Sequence, residues 1–138
     1  MIRVQTDDFD PGTELEQLRR ENCGRAGAMV SFTGLVRDLI EGDNITQLTL
    51  EHYPGMTEKA LATIETQANA RWDLTATLII HRVGPLQPND NIVLVIAASM
   101  HRKQAFEACE FMIDTLKTNA PFWKKESLRD GDRWLSPG

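Results

Sequence analysis

Two stretches, Leu74 to Val83 and Asn91 to Ser99, constrain the fold of this chain more than any other feature. Both are rich in β-branched residues, and between them stands Gly84-Pro85-Leu86-Gln87-Pro88-Asn89-Asp90, a segment that cannot continue either strand. They predict an antiparallel pair. A long helix follows from about His101 to Lys117, with Ala105, Phe106, Cys109, Met112, Ile113 and Leu116 on its apolar face. Pro121 stops any continuation of it. Ahead of the pair, after Pro54-Gly55, the spacing of Leu61, Ile64, Ala68 and Trp72 predicts an amphipathic helix capped by Thr57.

The flanks supply further strands. Ile2 to Gln5 reads as a short strand, and Asp10-Pro11 offers an N-cap and a favoured first residue for a helix holding Leu15 and Leu18, which Gly24 and Gly27 end. From Ala28 to Arg37, Ala28, Val30 and Phe32 alternate with Met29, Ser31 and Thr33, the period of a strand with one buried face. The polar stretch Asp38 to Asn44 then predicts a turn into a second strand through Ile45, Leu48, Leu50 and Tyr53, making a long hairpin. Asp130-Gly131, between Trp123 and Trp134, predicts a terminal hairpin. Strand pairs interleaved with about three helices, without regular strand–helix alternation, point to a single α+β domain spanning residues 1–138.

At 138 residues and 41% hydrophobic, the chain is long enough to bury one substantial core. Its longest apolar run, Ile92 to Met100, is far short of the roughly 20 residues of a membrane helix, and the N-terminus lacks a signal pattern, so a cytoplasmic protein with no membrane association is expected. Cys23 and Cys109 read as free thiols, Cys109 within the core. A net charge of −5 argues against a protein that blankets nucleic-acid phosphates. Yet residues 1–58 carry 11 acids against five bases, whereas residues 59–138 carry ten bases against nine acids. Any anion site is therefore local.

Three groups of residues fit such a site. His101-Arg102 stand where a strand gives way to a helix, whose N-terminal N–H groups and partial positive charge suit phosphate or carboxylate; a helix cap beside a solvated arginine explains them equally well. Lys117 ends that helix and Lys124 follows a proline-directed turn, so the chain can bring two ammonium groups together. Each positive neighbour makes the next easier to deprotonate, the property a proton donor and acceptor needs. On composition alone the plainer reading, a lysine at a helix end and others on a surface strand, is the stronger one. Arg37 lies past Gly34 at a strand end, where a guanidinium can grip an anion in bidentate fashion. His52 points away from Glu51 and Tyr53 on an alternating strand, and His81-Arg82 read as internal pairing. No Cys/His spacing suggests a metal, no glycine-rich loop a nucleotide, and no Ser/His/Asp set a hydrolase.

Taken in order, Phe32-Thr33-Gly34-Leu35-Val36-Arg37, Leu50-Glu51-His52-Tyr53-Pro54-Gly55-Met56, His81-Arg82-Val83-Gly84, His101-Arg102 with Ala105-Phe106, and Lys117 through Pro121-Phe122-Trp123-Lys124-Lys125-Glu126 resemble the large, catalytic subunit of molybdopterin synthase. The match holds in register from about residue 28 to Trp134. The resemblance implies the α/β-hammerhead fold and conversion of cyclic pyranopterin monophosphate to molybdopterin by installing two sulfur atoms as a dithiolene. It implies a partner, a small ubiquitin-like sulfur-carrier subunit with a C-terminal Gly-Gly thiocarboxylate, and a homodimer of large subunits within a heterotetramer, with neither metal nor cofactor needed.

Carried over residue by residue, Arg37, His101 and Arg102 would bind the substrate's phosphate and pterin side, with Leu35 and Val36 shaping that wall. Lys117 would sit where the partner's terminal glycine meets the substrate. Lys124 would bind substrate and assist proton transfer, while Lys125 and Glu126 line or orient. Two departures stand out: the chain ends at Gly138, soon after Trp134, where some relatives carry a longer tail, and Met100 precedes His101 where a smaller residue is expected. Two other readings of the lysines differ in what they predict. A module that only docks a ubiquitin-like tail needs no turnover, and a Schiff-base enzyme would be trapped by borohydride.

Overall fold

The structure is a computed structural model that describes residues 1–37, 39–40, 43–120, 122–128 and 131–135, with side chains described for 1–37, 47–120 and 122. In chain order the elements are β1 (Ile2–Gln5), α1 (Pro11–Glu21), β2 (Ala28–Leu35), β3 (Leu39–Ile40), β4 (Asp43–His52), α2 (Met56–Arg71), β5 (Leu74–Arg82), β6 (Gly84–Leu86), β7 (Asn91–Ser99), α3 (Arg102–Asn119), β8 (Phe122–Leu128) and β9 (Gly131–Leu135). The β-branched runs pair antiparallel as β5 and β7, with Ile79 opposite Val95. They form the centre of a sheet ordered β1-β5-β7-β2, in which β1 joins β5 in parallel.

Both faces of that sheet are covered, which is why its central strands are apolar at nearly every position rather than at alternate ones. Ile79, Val93, Val95 and Ala97 pack with Leu61, Ile64 and Ala68 of α2 and with Ala108, Cys109, Met112, Ile113 and Leu116 of α3. Leu78, Ile80, Leu94 and Ile96 pack on the other side with Phe9 and with Leu18 of α1. Fully burying each of the valines, leucines, isoleucines, phenylalanine and methionine among them stabilises the fold by roughly 1.5–3 kcal/mol. Cys109 lies in this core, where burial pushes its thiol from an ordinary 9.0 up to about 11, and Cys23 is exposed; both are free.

A second sheet, ordered β3-β4-β8-β9 with β6 also on β4, stands beside the first. The terminal hairpin of the sequence reading is present as β8 and β9, its turn lying outside the described residues. Val36, Leu48, Leu50 and Leu86 form a small core between the sheets.

Several local expectations are corrected. Ala28–Leu35 does not make a long hairpin with the strand after it: β2 pairs with β7, from Ala28 opposite Ser99 to Leu35 opposite Asn91, and β4 belongs to the second sheet. The non-local pairing wins because it covers both faces of β2, Val30 and Phe32 entering the α2/α3 core and Met29 the α1 core. The single buried face expected of this strand is thus two half-buried ones. Phe106 is 60% exposed, because it falls outside the stripe of Ala105, Ala108, Cys109, Met112, Ile113 and Leu116 that meets the sheet. Thr57 lies inside α2, whose N-cap is Gly55, and its buried hydroxyl accepts from the Tyr53 N–H at 3.2 Å. Helix α1 starts as expected, with Asp10 accepting from the N–H groups of Gly12 and Thr13, but it ends at Glu21, ahead of both glycines.

Gly27 has a different task. An ideal Cβ there would sit 2.2 Å from the Met100 carbonyl oxygen, and its N–H donates to the Ser99 carbonyl at 2.9 Å. Only glycine lets the start of β2 come this close to the turn that leads into α3. Gly27→Ala is expected to lower stability by about 1–3 kcal/mol through forced backbone displacement. Thermal melting checks this, and an unchanged midpoint would contradict it.

Candidate active site

Helix α3 decides where the candidate residues stand. It follows β7 after the two-residue turn Met100-His101 and packs on β7 and β2, so it runs back along the sheet. His101 occupies its N-cap position in extended backbone but makes no side-chain capping hydrogen bond, and both His101 and Arg102 are exposed. The turn beneath them is fixed by Ser99, whose buried hydroxyl donates to the Asp73 carbonyl at 2.9 Å and accepts from the His101 N–H at 3.4 Å. Lys103 adds a third exposed base in this first helical turn, which holds no acid. Unpaired N–H groups and three basic side chains together attract an anion. Lys103 was missed in the sequence because a lone surface lysine carries no signal without its helix position.

Lys117 stands in the last turn of the same helix. Buried Leu116 and Ala120 hold that turn, with the Ala120 N–H bonded to the Leu116 carbonyl at 3.0 Å. The Lys117 ammonium is exposed and lies 5.7 Å from the ring centroid of Phe32 on β2, a cation–π contact that steadies a long side chain. Phe32 is a second residue the sequence reading did not single out; its signal was alternation with Val30 on one strand face.

Leu35, Val36 and Arg37 emerge at the same end of β2. Leu35 is 49% exposed and Arg37 is exposed, whereas Val36 is buried in the core between the sheets. Val36 is also pinned by its backbone, donating to the Asp90 carbonyl at 3.0 Å and accepting from the Asn89 N–H at 2.8 Å. Val36 therefore anchors this strand end from the core, and Leu35 presents apolar surface beside it.

Strand β8 begins at Phe122, two positions after Ala120. In register, Lys124 stands opposite Leu50, Lys125 opposite Thr49 and Glu126 opposite Leu48; the side chains of these three lie outside the described residues. The backbone thus carries residue 124 into the strand that opens beside Lys117. His101 and Arg102 do not join this group within one chain. Lys117 lies sixteen positions along α3 from the N-cap His101, about 24 Å at 1.5 Å per residue. Of the other histidines, His81 is buried against Phe122, and His52 lies 3.9 Å from the Glu58 carboxylate. Among the described residues no cluster of His, Cys, Asp and Glu is arranged to hold a metal, and no helix is long and apolar enough to cross a membrane.

Comparison with known proteins is consistent across sequence and structure. Residues 4–119 match the family model described as MoaE protein. The chain is 57% identical over 136 residues to the molybdopterin synthase catalytic subunit of Ralstonia nicotianae, covering 97% of this chain and 76% of that one. Among solved structures, the molybdopterin biosynthesis MoaE protein from Burkholderia ambifaria superposes with a TM-score of 0.85 at 51% identity, over 98% of this chain and 88% of that one. The molybdopterin synthase from Staphylococcus aureus superposes with a TM-score of 0.88 at 38% identity, over 97% and 96% of the two chains.

Proposed function

The chain belongs to the MoaE family, and on that footing we propose that it catalyses the sulfur-transfer step that makes molybdopterin. In this reading a small ubiquitin-like subunit brings sulfur as the thiocarboxylate of its C-terminal glycine. The acceptor is cyclic pyranopterin monophosphate, which receives two sulfur atoms as a dithiolene. The two unpaired thiols suit a cytoplasmic setting.

The observation that carries the site assignment is the gathering of Leu35, Arg37, Lys117 and the start of β8 at one end of the main sheet. Arg37 offers a planar fork to the substrate's phosphate or pterin edge. Lys117, steadied over Phe32, meets the carrier's terminal glycine where the sulfur is handed over. Lys124 binds the substrate and moves a proton, or offsets negative charge, as oxygen leaves and sulfur enters. Lys125 and Glu126, next along β8, line or orient the bound pterin.

His101 and Arg102 complete the phosphate grip from a second copy of the chain. Their distance from Lys117 along α3 leaves them unable to reach the same ligand from within one chain, and the exposed apolar surface of Met100 and Phe106 beside them suits burial against another copy. The assembly is then a dimer of this chain carrying one small subunit on each half. Incubating it with thiocarboxylated small subunit and cyclic pyranopterin monophosphate, and weighing the pterin product, tests the reaction itself.

A further inference from the structure

Phe122 opens β8 two residues before Lys124, and it rests on a histidine. The His81 ring, buried at the end of β5, stacks on Phe122 with ring centroids 3.7 Å apart and planes 15° from parallel. Phe122 is itself buried in the main core, and its N–H donates to the Ala120 carbonyl at 2.9 Å. The tilt of a ring about its last side-chain bond is only loosely set by rotamer preference, so a flat platform needs something to fix its plane. Here the fixing group is the Arg82 carbonyl, which accepts a hydrogen bond at 2.8 Å from His81 Nδ1; a carbonyl cannot donate, so that nitrogen carries the proton.

Arg82 is held in turn. Its guanidinium donates to the Thr6 carbonyl at 3.1 and 3.2 Å and to the Asn91 carbonyl at 3.2 Å. A rigid path therefore runs from the end of the main sheet, through the imidazole plane, to the first residue of the strand bearing Lys124.

We propose that His81 is a positioning residue for Lys124, its ring fixing where β8 departs from the main sheet. The proposal rests on the reading of Lys124 as a catalytic residue. A phenylalanine at 81 would keep the platform and lose the bond that orients it; a leucine would fill space and offer no plane.

The test uses the complex with thiocarboxylated small subunit. In His81→Leu and Phe122→Leu, turnover at saturating pterin phosphate is expected to fall about tenfold or more, because an ångström of misplacement can cost up to a hundredfold. KM should change less than about threefold, His81→Phe, which keeps the ring but not its bond to the Arg82 carbonyl, should recover turnover only in part, and the double variant should be no worse than the poorer single one, as expected of two residues acting as one unit. Near-UV circular dichroism and thermal melting give the folded fraction of each. Loss of turnover only in proportion to unfolded protein, or simple addition of the two single effects, would overturn the proposal. Full turnover in His81→Leu alongside an inactive Lys124→Ala would also overturn it. Near-normal turnover in Lys124→Ala would instead remove the reading on which it rests.

Discussion

Lys117→Ala and Lys124→Ala are each expected to lose well over a hundredfold in product formation while the chain still binds its small subunit. The size of the loss is what separates catalysis from contact. A charge-assisted hydrogen bond contributes about 1.5–3 kcal/mol, or roughly ten- to a hundredfold in binding or rate. A lysine that only steadies the carrier's tail would cost no more than that, and the cost would fall on affinity. A lysine that moves a proton, or meets charge as it develops in the transition state, acts on turnover beyond that limit. Lys117 is suited to such a role by its place, exposed at a well-packed helix end and held over Phe32 rather than tied up in an ion pair among the described residues. Steady-state rates of pterin product, with small-subunit affinity measured alongside, decide the matter. Near-normal turnover in both variants would remove these lysines from the chemistry.

Mixing two inactive chains should restore activity. The His101→Ala/Arg102→Ala chain lacks the proposed phosphate grip at one end of α3, and Lys117→Ala lacks the lysine at the other, about 24 Å away by helical rise. If each site draws its two halves from different copies, a mixed dimer holds one intact site and one doubly defective site. With random pairing, half the dimers are mixed, so co-expressed chains should recover roughly a quarter of the wild-type turnover per chain, far above either variant alone. No recovery, in a preparation shown by mass to contain mixed dimers, would mean that both groups act within one chain or that one of them does not serve the site.

The helices and the central pair β5/β7 were legible in the sequence because each is set by local periodicity and by breakers such as Pro85, Pro88 and Pro121. Partner choice was not. Ala28–Leu35 pairs with β7 rather than with the strand that follows it, because covering both of its faces outweighs the nearness of a hairpin partner, and nothing in its own alternation records which edge is open. Phe106 looked like core because it is large and close to the helical stripe, yet it lies outside the row that meets the sheet.

The site was legible in a similar way. Arg37, His101 and Lys117 could be picked out as basic residues at element ends, but only the fold shows that the first and last share one end of the sheet while His101 stands at the other. Phe32 reads from the sequence as a strand residue and His81 as internal pairing, since what they do depends on a ring contact across elements: Phe32 beneath Lys117, and His81 beneath Phe122. Val36, next to the exposed Leu35, is buried with Leu48, Leu50 and Leu86.

The most direct measurement combines the purified chain with thiocarboxylated small subunit and cyclic pyranopterin monophosphate, and follows the pterin by mass. Two sulfur atoms should enter each pterin as a dithiolene, with the carrier returning to an ordinary carboxylate terminus. Absence of any sulfur incorporation with a carrier shown to be active would contradict the assignment of this chain as the catalyst.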